Sequence, residues 1–586
     1  MATIKDLPSE VLEMIFSYKD INLEDIINLK STCKRLWQIE LRNQVWKEKF
    51  YQRCYTARMK YMKRKTKEQK KKFAKLNFEK QITKGIKSIR KLQDYVHLMS
   101  EDKLCDITKK ELECLLHFIA ENSMIYYFVY DELNRIISAE LPWLLHSALT
   151  TQYNFHLILN CLKQNRFIYN INKFMKMPRE KQILEKLFTI LAQYFKPHIS
   201  CSVIKTWLDD ITQEFLSCFK EIYPAHLIFK TSSEQFSFWK DNNIDDHFWN
   251  IEETRQIVNK LYYFIYHLRR NYYDLLKLLD TNNLKIRELL RDFRANQADI
   301  SIEQNVTLSM CHCIGRRLGV RCAVVPYVSD LNRIAIIWKP KYYAERNRRE
   351  LFHINKDSYQ IYPYTRENYI YEHVPDNDIE VIRKTIINFL SSNLGSSTYL
   401  LYNWNVLILD QILSDITNIE YSTITNTIQV EVKQLAKVEK KEAKFTVGMI
   451  VRHLCKKHRF CYEGEHVGVI IGYDYTCDKE SFSEKLRMSS EYPYLHRYDK
   501  HSFSMFCCQP DLVSYIEKVV NKNQPHYTIL VDNNKICYIE EEALSTSSPK
   551  WIKNVEIGRY FSEFLGTYYL PNRRLAKFYP DDTVTI

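Results

Sequence analysis

LPSEVLEMIFSYKDINLEDIINLKSTCKRLWQIELRNQVWKEKF, from Leu7 to Phe50, reads as three short helices with clear punctuation. Pro8 stands at the start of the first, where a missing N–H costs nothing. Leu7, Val11, Leu12, Ile15 and Phe16 then form one apolar stripe at helical spacing. Asn22 is placed to cap a second helix carrying Ile26, Ile27 and Leu29, and Ser31 or Thr32 to cap a third that buries Leu36, Ile39, Val45 and Trp46. Fifty residues bury too little surface to be comfortably stable alone. The stripe therefore needs a cover, either the chain's own core or a partner.

Working outward, glycine divides the chain. Residues 1–300 hold one glycine, Gly85, and the segments VIKTWLDDITQEFLSCF (203–219) and IVNKLYYFIYHLRRNYYDLLKLL (257–279) repeat apolar residues at helical spacing. In the second, Leu261, Phe264, Ile265 and Leu268 share one face. Six of the ten glycines follow Phe445, among short β-branched and aromatic runs such as GVIIGYD (468–474) and HYTILVD (526–532), the pattern of strands and turns. The charged EVKQLAKVEKKEAK (431–444) reads as a linker.

Composition narrows the class. No apolar run reaches the roughly 18 residues that a membrane span needs, and MATIKDLPSE lacks the pattern of a secretion signal. Sixteen cysteines are then expected as reduced thiols in cytosol or nucleus. The net charge of +14 invites a nucleic-acid reading, but residues 1–100 alone hold 24 Lys and Arg against 11 Asp and Glu. From Phe445 to Ile586 the counts are 18 and 18. The basic run near residues 58–75 is most simply a solvated helix face, with an import signal or an anionic partner as alternatives.

With Leu7-Pro8, the ladder Val11, Leu12, Ile15 and Phe16, Cys33-Lys34 and Trp46, the opening segment resembles an F-box. That resemblance implies binding to a Skp adaptor, with Leu7, Pro8, Val11, Leu12, Ile15, Phe16, Leu36 and Trp46 as the binding residues, and through the adaptor to a cullin–RING ligase scaffold.

In the middle, SIEQNVTLSMCHCIGRRLGVRCAVVPYVSDLNRIAIIW (301–338) reads as a helix, a tight turn at Gly319 and two apolar strands. It resembles the transglutaminase-like core of bacterial SirB-type proteins, most recognisably at RRLGV. Active thiol sites of that type need a Cys at a helix N-terminus and a His to activate it. Registering on Arg316-Arg317-Leu318-Gly319 puts the nucleophile position near Gln304 or Asn305 and the His position near Arg333. None of these does that chemistry, so the core is expected to be degenerate. Cys311 and Cys313 are expected to be structural, with a cryptic thiol activity or metal ligation as alternatives. KYYAERNRRE (341–350) reads as exposed surface.

FTVGMIVRH, GVIIGYDYTCD, NQPHYTILVDN, CYIEEEAL and IGRYFSEFLGTYYLPNRRLAKFYPDD occur in order over the last 140 or so residues. Together they resemble the YccV-like, hemimethylated-DNA-binding domain, which implies a small β-barrel. Tyr560, Phe561 and Phe564 would be its final packing layer, with tight turns at Gly558 and Gly566. A recognition surface for protein or DNA is expected at Gly472, Tyr473 and Asp474, at Asn523, Gln524 and Pro525, and on a basic patch of Arg573, Arg574 and Lys577. Balanced charge makes DNA binding weak in expectation. His453, Cys455, His458 and Cys461 have metal-ligand residue types, but no second knuckle completes a zinc pattern, and no metal or cofactor is expected.

The expected architecture is multidomain α+β: an F-box (1–50), a basic and helical region (51–200), a largely helical region with the degenerate transglutaminase-like core (201–430), a linker (431–444) and the YccV-like domain (445–586). The expected function is a non-catalytic substrate-recognition subunit of a Skp–cullin–F-box ubiquitin ligase. A DNA-binding regulator and a transglutaminase-like thiol enzyme are the alternatives.

Overall fold

The structure, a computed structural model, describes residues 7–62, 76–103, 105–138, 148–195, 197–244, 248–270, 310–326, 334–338, 352–354, 361–363, 443–455, 464–474, 525–532, 535–554 and 556–584. The run near 63–75, the surface at 341–350 and the linker at 431–442 lie outside them, as do Gln304, Asn305 and Arg333. The chain forms two compact units. One comprises Met1–Tyr169, Ala192–Ile199 and Gln429–Ile586, and the other Asn170–Leu191 and Ser200–Ile428.

The first unit opens with α1 (Ser9–Ser17), α2 (Leu23–Thr32), a one-turn α3 (Lys34–Trp37) and α4 (Asn43–Arg53), so the third expected helix is divided in two. Asn22 caps α2 as expected, in a reciprocal capping box with Asp25 at 3.0 Å each way. Ser31 and Thr32 do not cap α3. Their hydroxyls bond back to Asn28 O and Leu29 O, and Cys33 takes the cap position without a side-chain bond. Then follow α5 (Tyr55–Met62), α6 (Phe78–Ser100), α7 (Asp106–Glu121), α8 (Ser123–Ser138) and α9 (Leu149–Met175). Leu12, Phe16, Ile26, Leu36, Trp46 and Phe50 share one continuous apolar core with Phe78, Leu92, Phe128 and Leu162. The N-terminal segment thus gains from the helices after it the burial that its own length denies it.

In the second unit, α10 (Leu184–Phe195, shared with the first unit at its C-terminal end), α11 (Cys201–Ile222), α12 (Ser233–Asp241) and α13 (Ile251–Arg270) precede a helical stretch at 310–317. Leu261 and Ile265 of α13 are buried, as the spacing predicts. Gly319, at φ +76°, ends the 310–317 helix in the left-handed region. Beyond it β1 (Cys322–Pro326), β2 (Ile334–Trp338), β3 (Phe352–Ile354) and β4 (Ile361–Pro363) form an antiparallel meander in sequence order.

The C-terminal part of the first unit holds β5 (Ile450–Cys455), β6 (Gly464–Asp474), β7 (His526–Val531), β8 (Lys535–Glu540) and β9 (Leu544–Thr546). They make one antiparallel sheet in the order β8-β7-β6-β5-β9. The closing stretch adds α14 (Ile557–Tyr560), β10 (Phe561–Phe564), β11 (Tyr569–Pro571), α15 (Arg573–Phe578) and α16 (Pro580–Val584). β10 and β11 pair as a separate two-stranded sheet, so the strands described form an open sheet and a hairpin rather than a closed barrel. Phe561 and Tyr569 are fully buried, with Phe564 and Trp551 against Tyr569. Phe561 and Phe564 thus take their expected places, whereas Tyr560 is half-buried with the Arg559 guanidinium 5.5 Å from its ring centre.

Candidate functional site

The apolar stripe of α1 splits by burial. Leu12 and Phe16 are buried with Leu36 and Trp46, and Leu7 and Ile15 pack partly against the same core. Of the eight residues expected to meet a Skp adaptor, Leu12, Phe16, Leu36 and Trp46 therefore face inward. A 3.6-residue repeat cannot distinguish a stripe facing the core from one facing a partner. Sequence reasoning missed the outward row: beside Pro8 and Val11 stand Met14 and Tyr18, both 66% exposed, and Trp37, 68% exposed. Val11, Met14 and Tyr18 follow i, i+3, i+7 spacing, which puts them on one side of the helix. Exposure of a Trp, a Tyr and a Met in so short a segment is the available signal of a docking face.

Buried lysines hold this surface in shape. Lys49 Nζ donates to Tyr18 O and Ile21 O at 2.5 Å each, satisfying carbonyls just beyond α1. Burial pulls the Lys49 ammonium below its ordinary pKa, against the opposing pull of Glu48. Lys30 Nζ donates to Ile39 O at 2.9 Å and lies 5.4 Å from the centre of the Trp46 ring. Arg35 donates to Leu7 O at 3.1 Å, tying α3 to the start of α1. Arg53 pairs with Glu132 of α8 and with Glu24, fixing the segment to the helices behind it.

In the second unit the RRLG motif is an anchor. The buried Arg316 pairs with the fully buried Glu185 and donates to Asn242 O at 2.9 Å and to Trp239 O. Arg317 pairs with the same carboxylate and with Asp209 at 3.2 Å. Burial pushes the Glu185 carboxyl up, and the two guanidiniums more than reverse it, holding the group ionised. Cys311 and Cys313 are buried on the same helix. Burial, with Glu185 adding to it, drives the Cys313 thiol well above its ordinary pKa, the opposite of what a nucleophile needs. These features fit a structural role for the two cysteines.

The C-terminal surface needs correction. Gly472, Tyr473 and Asp474 lie in β6, not in a turn, and Gly472 and Tyr473 are buried. A bulge between Ile470 and Gly472 re-aims the strand. A Cβ on Gly472 would stand 2.7 Å from Tyr579 Oη, which accepts the Tyr473 N–H at 3.2 Å. This glycine serves close approach rather than recognition. Pro525 is half-buried, and Asn523 and Gln524 lie outside the described residues. Arg573, Arg574 and Lys577 are exposed on α15.

Of the candidate metal ligands, His453 sits opposite His466 across β5 and β6, ring centres 5.4 Å apart, and Cys455 pairs with Gly464. Burial and then His466 lower the His453 pKa to about 4. His458 and Cys461 lie outside the described residues. Among the described residues no group of three His, Cys, Asp or Glu is gathered for a metal ion.

The chain thus carries an N-terminal run of short helices with an exposed apolar row and a C-terminal antiparallel sheet. Residues 4–52 match the F-box-like family model, and residues 443–568 match the family of hemimethylated DNA-binding protein YccV-like domains. Over nearly its whole length the chain is similar to proteins described as F-box only protein 21. It is 23% identical to those of Pongo abelii and Homo sapiens, covering 99% of this chain and 92% of each relative. With that of Mus musculus it shares 23% identity over 98% of this chain and 92% of the relative. No solved structure matches the chain. No helix among the described residues is long and apolar enough to cross a membrane.

Proposed function

We propose that the protein is the substrate-recognition subunit of a Skp–cullin–F-box ubiquitin ligase, acting in cytosol or nucleus. The observation that carries this is the outward row Pro8, Val11, Met14, Tyr18 and Trp37 on an F-box segment whose other face is fixed in the chain's own core. Covering it with a Skp adaptor removes about 25 cal/mol for each Å² of apolar surface taken from water. Ile15, half-buried at the edge of the row, completes the contact. Through the adaptor the chain would meet a cullin–RING scaffold and present a bound protein to a charged ubiquitin carrier. The gain is one of effective concentration, so the chain itself supplies no reacting group.

Protein substrates are the favoured ligands of the C-terminal domain and the second unit, since the region after Lys444 carries no net charge to draw a polyanion. Affinity purification from cells tests the proposal. The chain with Met14→Asp and Trp37→Asp should lose adaptor and cullin together while keeping its own fold. Retention of both by that variant would refute it.

A further inference from the structure

The basic face of the C-terminal domain already has an anionic neighbour in its own chain. Glu101 caps the C-terminal end of α6, and Asp102 follows it. Two acids at the negative end of a helix dipole are locally unfavourable and call for cations. Asp102 also holds φ at +54°, where the Lys103 N–H bonds to Leu98 O at 2.9 Å in a helix closure usually made by glycine. Aspartate is one of the few side chains that tolerate this backbone position. The Asp102 carboxylate pairs with Lys577 of α15, while Glu101 pairs with Lys103 and with His97 at 3.2 Å, and Arg573 adds a smaller lowering of the Glu101 carboxyl after Lys103 and His97.

Packing fixes the approach. A Cβ on Gly558 would clash with the carbonyl of Leu149 and lie 2.8 Å from Tyr153 Cβ. Gly558 has no positive φ, so the expected turn role gives way to contact. The nearest atoms all belong to α9, and none to its own domain. Beside it Thr150 Oγ1 donates to Phe561 O at 2.9 Å.

We propose that the Glu101–Asp102 turn is an intrachain electrostatic latch: through Asp102 on Lys577 and Glu101 near Arg573 it offsets the charge of the exposed basic face of α15 and weakens polyanion binding there. Lys577 and Asp102 remain 65% and 41% exposed at their side chains, so their pair alone is weak and screened by salt. Packing at Gly558 and Thr150 holds the acids beside the face, where they offset its charge. Opening the latch leaves three cations uncompensated on one short helix, the footprint of a phosphate-rich strand.

The test is anisotropy of a labelled DNA duplex, of about 20 base pairs, as the polyanion probe, titrated with full chain at low salt. Glu101→Gln with Asp102→Gly, which keeps the left-handed backbone, should bind at least tenfold more tightly than the parent chain. Gly558→Val, which wedges the contact and leaves every charge in place, should do the same. Arg573→Ala, Arg574→Ala and Lys577→Ala together should abolish both gains. Parent-like affinity of the folded Glu101→Gln/Asp102→Gly chain overturns the proposal. So does a gain that survives removal of the three cations, because the duplex would then be bound elsewhere.

Discussion

The carboxylate of Asp582 accepts the backbone N–H of Val447 at 3.0 Å, so the last turn of the chain closes on the first turn of the C-terminal domain. Its other oxygen accepts the Tyr473 hydroxyl at 3.4 Å, and the residue is fully buried. Asp582→Ala removes the acceptor that two buried donors share, at about 1–3 kcal/mol each. Urea unfolding followed at the C-terminal domain should show a loss of about 2–5 kcal/mol. A loss within 0.5 kcal/mol, or about the error of such a measurement, would mean that Asp582 does not close the domain.

Glu185 serves two buried arginines at once. Glu185→Gln should therefore destabilise the second unit by about 3–5 kcal/mol, since it leaves the buried Arg316 guanidinium with no carboxylate and Arg317 with Asp209 alone. Arg317→Lys should fail to restore parent stability, because an ammonium cannot span Glu185 and Asp209 as a fork does. Thermal unfolding of the single variants checks this, and a neutral Glu185→Gln would show that the cluster is not an anchor.

Acid should weaken the C-terminal sheet through His453. Its folded pKa of about 4 lies below the ordinary 6.5, so the unfolded chain takes up the proton first. Stability from this residue is complete above pH 6.5 and is lost as pH falls toward 4, by on the order of 3 kcal/mol, with no further loss below. His453→Gln should flatten the melting temperature between pH 6.5 and 4 relative to the parent. Equal slopes in both proteins would rule out His453 as the source.

Replacing Cys311 and Cys313 by Ser tests the thiol-enzyme alternative. Buried hydroxyls cost about 1–3 kcal/mol each, so some stability is lost. Ubiquitylation of a captured substrate should persist. A fall of more than about a hundredfold, or about 2.7 kcal/mol of transition-state stabilisation, in a folded variant would restore a catalytic reading.

Local signals were legible in the sequence and distant ones were not. The Asn22 capping box, the face of Leu261 and Ile265 and the closing positions of Phe561 and Phe564 follow from spacings of a few residues. Gly472-Tyr473-Asp474 reads as a turn because Gly and Asp are turn residues, yet a bulge and the approach of Tyr579 demand the glycine inside a strand. Gly558 likewise answers to Leu149, more than 400 residues earlier, and Arg316 to Glu185, 131 residues away. Pairings at such separation leave no periodic trace. The split of the α1 stripe into Leu12 and Phe16 inside and Val11 outside, where Met14 and Tyr18 join it, depends on where the later helices pack, which the stripe itself does not encode.

Calorimetry of purified full chain with a Skp adaptor measures the docking itself. Binding should be saturable and one-to-one. Met14→Asp with Trp37→Asp should weaken it at least a hundredfold, or about 2.7 kcal/mol, with an unchanged melting curve. No binding by the folded parent chain, or parent affinity in the double variant, would contradict the proposed docking.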